Sequence, residues 1–119
     1  MSFTAIDRET LTDAQARGSA LLDDVHPGWR AELDVDGLDL NDVYDCVLGQ
    51  LYPREGYLNA VRRLYDLEVA ALDGNDWSIH HGFNARVPVD GMGYYNTPYP
   101  VRVRYGFLTA LWIADVIGS

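Results

Sequence analysis

The chain has 119 residues, a net charge of −9 and 48% hydrophobic residues, which suits one hydrophobic core and excludes an intrinsically disordered protein. Its acidic balance repels phosphate, so we expect no direct binding to nucleic acid or to an anionic membrane, and no apolar run is long enough to span a bilayer. The single cysteine, Cys46, excludes a disulfide framework, and the first residues do not resemble a signal peptide. We therefore expect a single globular domain over residues 1–119, located in the cytoplasm.

A first helix is predicted over residues 11–25, where apolar side chains recur on one helical face. Thr12 and Gln15 have the spacing of a capping box at its start, and residues 26–28, His-Pro-Gly, are a strong stop signal. Trp29 follows this stop directly. An aromatic residue in that position is most often folded over the core, so we expect Trp29 to be a lid on it.

The cleanest helical periodicity lies in residues 40–51, with Asn41 as the predicted N-cap and Pro53 closing the helix. A third apolar stripe predicts a helix over residues 57–72 that ends by Gly74. Asn75 is then a candidate cap for a short helical turn that ends at Gly82. The sequence thus predicts three further helical pieces in its middle third.

Residues 84–100 differ in composition from the chain before them, because they are rich in glycine, proline and tyrosine. This composition predicts a long irregular segment. Apolar and basic residues alternate over 101–105, which predicts a short extended piece, and residues 107–116 then predict a closing helix. We therefore expect a mostly α fold, a compact bundle of about four helices with one long irregular segment. Its predicted core comprises Val43, Tyr44, Val47, Leu48, Leu51, Leu64, Phe83, Leu108 and Trp112.

The sequence contains no motif for a metal or a cofactor. Residues 32–37 resemble the start of a calcium loop, but Val43 stands where a bidentate glutamate must complete the calcium shell. His80 and His81 are adjacent and point in different directions on a helix, and Cys46 is more typical of a small buried apolar residue than of a nucleophile. We expect no cofactor, no metal and no enzymatic activity.

A tyrosine–arginine segment is the first candidate for partner binding. It combines side chains enriched at interface hot spots, namely Tyr94, Tyr95, Tyr99, Arg102 and Arg104. Tyrosine offers a large contact area at little cost in side-chain entropy, and arginine adds several hydrogen-bond donors. We predict that a protein partner binds here.

The alternative surface is an acidic segment, residues 34–45. Its members are Asp34, Asp36, Asp39, Asp42 and Asp45. Such a run is typical of a solvated loop that leads into the positive end of a helix dipole, and it is also suited to a basic partner. Both interpretations stay open at the level of sequence.

Residues 20–52 read ALLDDVHPGWRAELDVDGLDLNDVYDCVLGQLY. With PGW, LDL and CVLGQLY in this stretch, a GF at residues 82–83 and a closing segment that contains Trp112, the chain resembles a family of small proteins encoded by actinobacteriophages and related prophages. The resemblance implies a phage origin and brings no catalytic mechanism with it. The chain departs from the family pattern in its long tyrosine-rich residues 84–105.

We therefore expect a small acidic phage accessory protein that binds a host or phage protein without catalysis. One alternative is an inhibitor that imitates nucleic acid, although such mimicry needs carboxylates in rows over one face and the acids here bunch in residues 23–45. Another alternative is a small metal-dependent hydrolase, which would need a concave carboxylate pocket around a divalent ion. The sequence leaves the oligomeric state open.

Overall fold

The computed structural model describes residues 5–68, 74–85, 87–89, 93–95 and 98–118. In these ranges the chain forms six helices and one two-stranded sheet, so the predicted mostly α fold is confirmed. The helices are α1 (Ala5–Val25), α2 (Trp29–Glu32), α3 (Val47–Leu51), α4 (Tyr57–Glu68), α5 (Gly74–His80) and α6 (Pro98–Gly118). Strands β1 (Val87–Val89) and β2 (Gly93–Tyr95) pair antiparallel, with Val87 opposite Tyr95.

The first helix begins before its predicted start at residue 11. Thr12 lies inside α1, and its hydroxyl donates a hydrogen bond to the Arg8 carbonyl at 2.7 Å, so the predicted capping box is wrong. The predicted stop is correct, because Gly28 adopts a φ of 85° that favours glycine. Trp29 is completely buried, as expected for a lid on the core.

The predicted helix over residues 40–51 is wrong in its first half. Residues 40–46 form a series of turns, and only residues 47–51 are helical. The cause is local, since the Asp42 carboxylate accepts hydrogen bonds from the amides of Tyr44 and Asp45 and so competes with the helical pattern. Helix α3 begins instead after Cys46, whose sulfur accepts from the Gly49 amide at 3.3 Å.

Two of the predicted core residues are therefore misplaced. Val43 is 54% exposed and Tyr44 is 81% exposed, because neither lies on a helical face that turns inward. The other predicted core residues are buried: Val47, Leu48, Leu51, Leu64, Phe83, Leu108 and Trp112.

The closing helix is longer than predicted. Residues 101–105, predicted as extended, belong to α6, so that prediction is wrong. Tyr105, Leu108 and Trp112 are all buried at spacings of three and four, which is a helical face that the alternation with arginine concealed. Residues 84–100 include the β1–β2 hairpin and the start of α6, and Leu72, the predicted end of the third helix, lies outside the described residues.

Aromatic packing joins the helices at the centre of the core. Trp29 and Trp112 meet edge to face at 5.4 Å, and Phe83 stacks on Trp112 at 5.6 Å. Trp77 extends the cluster, with its ring 5.7 Å from that of Phe83. The indole nitrogen of Trp112 donates to the Gly82 carbonyl at 2.8 Å, so the one polar atom of this buried side chain has a hydrogen-bond partner.

Candidate functional site

The acidic segment is an ordered series of turns in which most aspartates bind the backbone of the segment itself. Asp34 accepts from the Asp36 amide at 3.1 Å, and Asp39 accepts from the Asn41 amide at 3.0 Å. Asp42 accepts from two amides. These are the local hydrogen bonds by which aspartate stabilises turns.

Gln50 of α3 fixes the two ends of the acidic segment. Its side-chain oxygen accepts from the Asp34 amide at 2.8 Å, while its side-chain nitrogen donates to the carbonyls of Asp34 and Asp45 at 3.2 and 3.1 Å. From α6, the Thr109 hydroxyl accepts from the Leu40 amide at 3.0 Å. The segment is therefore held in place by the core helices.

Three large apolar side chains are strongly exposed near this segment. They are Val43, Tyr44 and Leu58, and Leu58 of α4 is 75% exposed. Val43 and Leu58 line the same groove, which has a volume of about 240 Å³. The groove lies between residues 40–46 and the start of α4, and Phe83, Asn84 and Tyr105 complete its lining.

The polar groups of the groove are bound to one another. The Tyr105 hydroxyl donates to the Asn84 side-chain oxygen at 3.0 Å. Burial raises the pKa of Tyr57 to about 12, although hydrogen bonds with Ser78 and Asn84 partly oppose this rise. Tyr57 is therefore a neutral phenol at physiological pH, so it adds no charge to the lining of the groove.

Cys46 also lines the groove, but its thiol is not activated. Burial raises the pKa of Cys46, and this effect outweighs the hydrogen bonds from backbone amides that favour the thiolate. Because the thiolate is the nucleophilic form, the thiol is inert in this position.

A chain of hydrogen bonds that has no motif in the sequence joins a carboxylate, an imidazole and a hydroxyl. Nε2 of His26 lies 2.7 Å from the Glu32 carboxylate, and Nδ1 lies 2.9 Å from the Tyr52 hydroxyl. This order of groups is that of a nucleophile–base–acid triad. Tyr52 is nevertheless a core residue, and burial raises its pKa, which is the opposite of activation.

A second polar network ties α1, α2 and α6 together. Arg30 pairs with Asp23 at 2.6 Å and with Asp115 at 3.0 Å, and it also donates to Ser19. Gln15 donates to the second oxygen of Asp115 at 2.8 Å. The network is fully paired within the fold, so we assign it to stability.

The tyrosine–arginine segment is divided between two elements. Tyr94 and Tyr95 belong to β2 and Tyr99 to the start of α6, and their side chains lie outside the described part of the structure. Arg102 is exposed, and Arg104 donates to the Ala85 carbonyl at 2.9 Å. Partner binding at this segment stays a prediction.

The residues missed by the sequence analysis are the exposed apolar ones. The apolar spacing predicts Val43 and Tyr44 on a helical core face, and Leu58 on the stripe of the third helix. The signal that could have found them is the placement of Asp39, Asp42 and Asp45, because aspartate is a poor residue for a helix interior and a strong one for turns.

Over the ranges described, no three His, Cys, Asp or Glu side chains are grouped so that they could hold a metal ion. None of the described helices has both the length and the apolar character that crossing a bilayer requires. No protein-family model, curated protein or solved structure matches the chain. The resemblance to phage proteins therefore stays a prediction.

Proposed function

We propose that the chain is a non-catalytic accessory protein that binds another protein through a surface that includes the acidic segment. One observation carries the proposal: hydrogen bonds fix a turn that holds Val43 and Tyr44 in solvent, next to the exposed Leu58. Burying such side chains against a partner gains hydrophobic free energy, and a preformed turn loses little entropy on binding.

The proposal of a non-catalytic protein is supported by the raised pKa values of two candidate nucleophiles, Cys46 and Tyr52. Burial raises the pKa of Cys46 and of Tyr52, so each stays in its protonated, less reactive form. Tyr52 and His26 instead join the end of α3 to the turn after α1.

The resemblance to phage-encoded proteins supports a host or phage protein as the partner. Mimicry of nucleic acid has less support, because Asp34, Asp39 and Asp42 bind amides of their own turns. A mimic needs carboxylates that project in rows, at the spacing of phosphates along a backbone. We therefore favour recognition of a protein surface.

Site-specific photo-cross-linking tests this proposal in the cells that express the protein. A photoreactive phenylalanine in place of Tyr44 should give a covalent adduct with one defined protein. The control is the same residue in place of Ile117, which is 70% exposed on α6 and should give none. An adduct with nucleic acid, or equal adducts at both positions, would contradict the proposal.

A third position separates the two candidate surfaces. The photoreactive residue in place of Tyr95 tests the tyrosine–arginine segment. If this variant gives the adduct and the Tyr44 variant does not, the protein binds its partner through the tyrosine–arginine segment instead of the acidic one.

A further inference from the structure

The groove beside the acidic segment offers apolar contacts inside it and negative charge next to it. Its volume of about 240 Å³ exceeds the roughly 150 Å³ of an engineered apolar cavity that binds benzene. One aromatic or branched aliphatic side chain therefore fits. The exposed side chains of Val43 and Leu58 line it, so an inserted group would find apolar contacts at once.

The chain segment that supplies one side of the groove is acidic. Residues 31–53 contain six acidic residues and no basic ones. Val43 and Cys46 line the groove, and Tyr44 and Asp45 lie between them in the chain. Asp45 is exposed, and its carboxylate accepts no hydrogen bond within the part of the chain that the structure describes.

Resting on the proposed function, we propose that the groove binds a basic peptide segment of a partner protein, with one apolar side chain inserted and a lysine or arginine beside it. The apolar side chain contacts Val43 and Leu58. The basic side chain lies over the acidic segment, where it pairs with the Asp45 carboxylate and contacts the ring of Tyr44. A cation over an exposed aromatic ring gains about 0.5–1 kcal/mol, which is about a two- to fivefold gain in affinity.

The α4 side of the groove, opposite the acidic segment, fixes the orientation of the bound segment. Arg62 is exposed on α4, one turn after Leu58. A second basic residue placed on that side would be repelled. The basic residues of the bound segment therefore lie on one side of its apolar anchor, toward the acidic segment.

A selection from a library of random linear peptides, displayed against the whole immobilised protein, tests the proposal. We expect the enriched peptides to share one aromatic or branched aliphatic residue with lysine or arginine on one side of it. Synthetic copies of these peptides are then the probes for binding measurements with variants. Enriched peptides that are neutral or acidic would overturn the proposal.

Two variants and two matched controls locate the binding. Leu58→Ser removes the apolar wall and should weaken binding by about tenfold or more, whereas Ile117→Ser removes an equally exposed apolar residue elsewhere and should leave it unchanged. Asp45→Asn should weaken binding by about two- to fivefold at low salt and less at high salt. Asp13→Asn makes the same change of charge on α1 and should have a smaller effect.

The outcomes separate this proposal from the proposed function. If the Leu58→Ser and Asp45→Asn variants bind the peptides as well as the wild type does, the groove is not the site. If the wild type self-associates and Leu58→Ser is monomeric, a second copy covers the groove and the proposal fails. If cross-linking gives a protein adduct at Tyr44 but the selection enriches no peptide, the proposed protein binding is supported. The proposal that the groove binds a basic peptide segment is then wrong.

Discussion

A Cβ atom on Gly49 would lie 2.2 Å from the carbonyl oxygen of Val43. Such an atom would also meet the Tyr44 carbonyl oxygen at 2.8 Å, and real Cβ atoms do not approach backbone this closely. Glycine is therefore what allows α3 to lie directly against the turn that exposes Val43 and Tyr44. The position of the acidic segment thus depends on a residue in the middle of the CVLGQLY motif.

We expect Gly49→Ala to destabilise the fold by about 1–3 kcal/mol, because the added methyl group forces the turn away from α3. Urea unfolding followed by circular dichroism measures the change. Gly106→Ala is the control, since an added Cβ there meets nothing within 4 Å in an exposed position of α6. That control should gain about 0.5–1 kcal/mol, and equal effects of the two changes would contradict the close contact.

Leu48→Ala should cost about 2–5 kcal/mol of unfolding free energy, because this side chain is completely buried and its removal leaves a cavity. Leu58→Ala deletes the same atoms from an exposed site and should change stability by about 0.5 kcal/mol or less. Chemical denaturation of the two variants compares them directly. A loss below about 1 kcal/mol for Leu48→Ala would place that residue at the surface.

Acid should weaken the link between α2 and α6. Burial alone would raise the pKa of Asp115, but hydrogen bonds from Ser19, Gln15 and Arg30 hold it below its ordinary value. A carboxyl with a lowered folded pKa stabilises the fold fully above its unfolded pKa of about 3.9, and this contribution is lost as pH falls through the folded value. The stability that Asp115 adds is therefore present at neutral pH and disappears in acid.

Comparison with Asp115→Asn measures this contribution. The wild type should be more stable than the variant by a constant amount above about pH 5, and the difference should shrink at lower pH. Asp13→Asn, on the exposed face of α1, is the reference for a general effect of charge. A difference that stays constant down to about pH 2 would show that the Asp115 charge does not contribute.

The thiol of Cys46 should react slowly in the folded protein. Burial raises its pKa and also blocks access, so modification with a disulfide reagent at about pH 8 should be slower than in denaturant by more than about tenfold. Absorbance of the released thiolate follows the reaction. Equal rates in both conditions would mean that Cys46 is exposed.

The sequence predicted those elements whose apolar pattern and local signals agree. The stop at Gly28, the burial of Trp29 and the helical nature of α1, α4 and α6 follow from periodicity and turn chemistry. Residues 40–46 were mispredicted because their apolar spacing is helical while their aspartates favour turns, and the local hydrogen bonds prevail.

The candidate site could be predicted only in part. The acidic segment is visible in the sequence, whereas the groove depends on contacts between residues that are far apart in the chain. Val43 and Leu58 line it from different parts of the chain, and the Tyr105 hydroxyl donates to Asn84 within its lining. Such pairings have no local signature, so the apolar half of the site appears only in three dimensions.

The side chains of Gln15 and Asp115 are hydrogen-bonded across 100 positions of the chain, and Trp112 covers both Trp29 and Phe83. During synthesis, α1 and α2 therefore leave the ribosome long before the helix that shields them has been made. The aromatic centre can close only when α6 has cleared the exit tunnel. Translation that stops before Trp112 would release a chain with an uncovered core, which chaperones and proteases would recognise as unfolded.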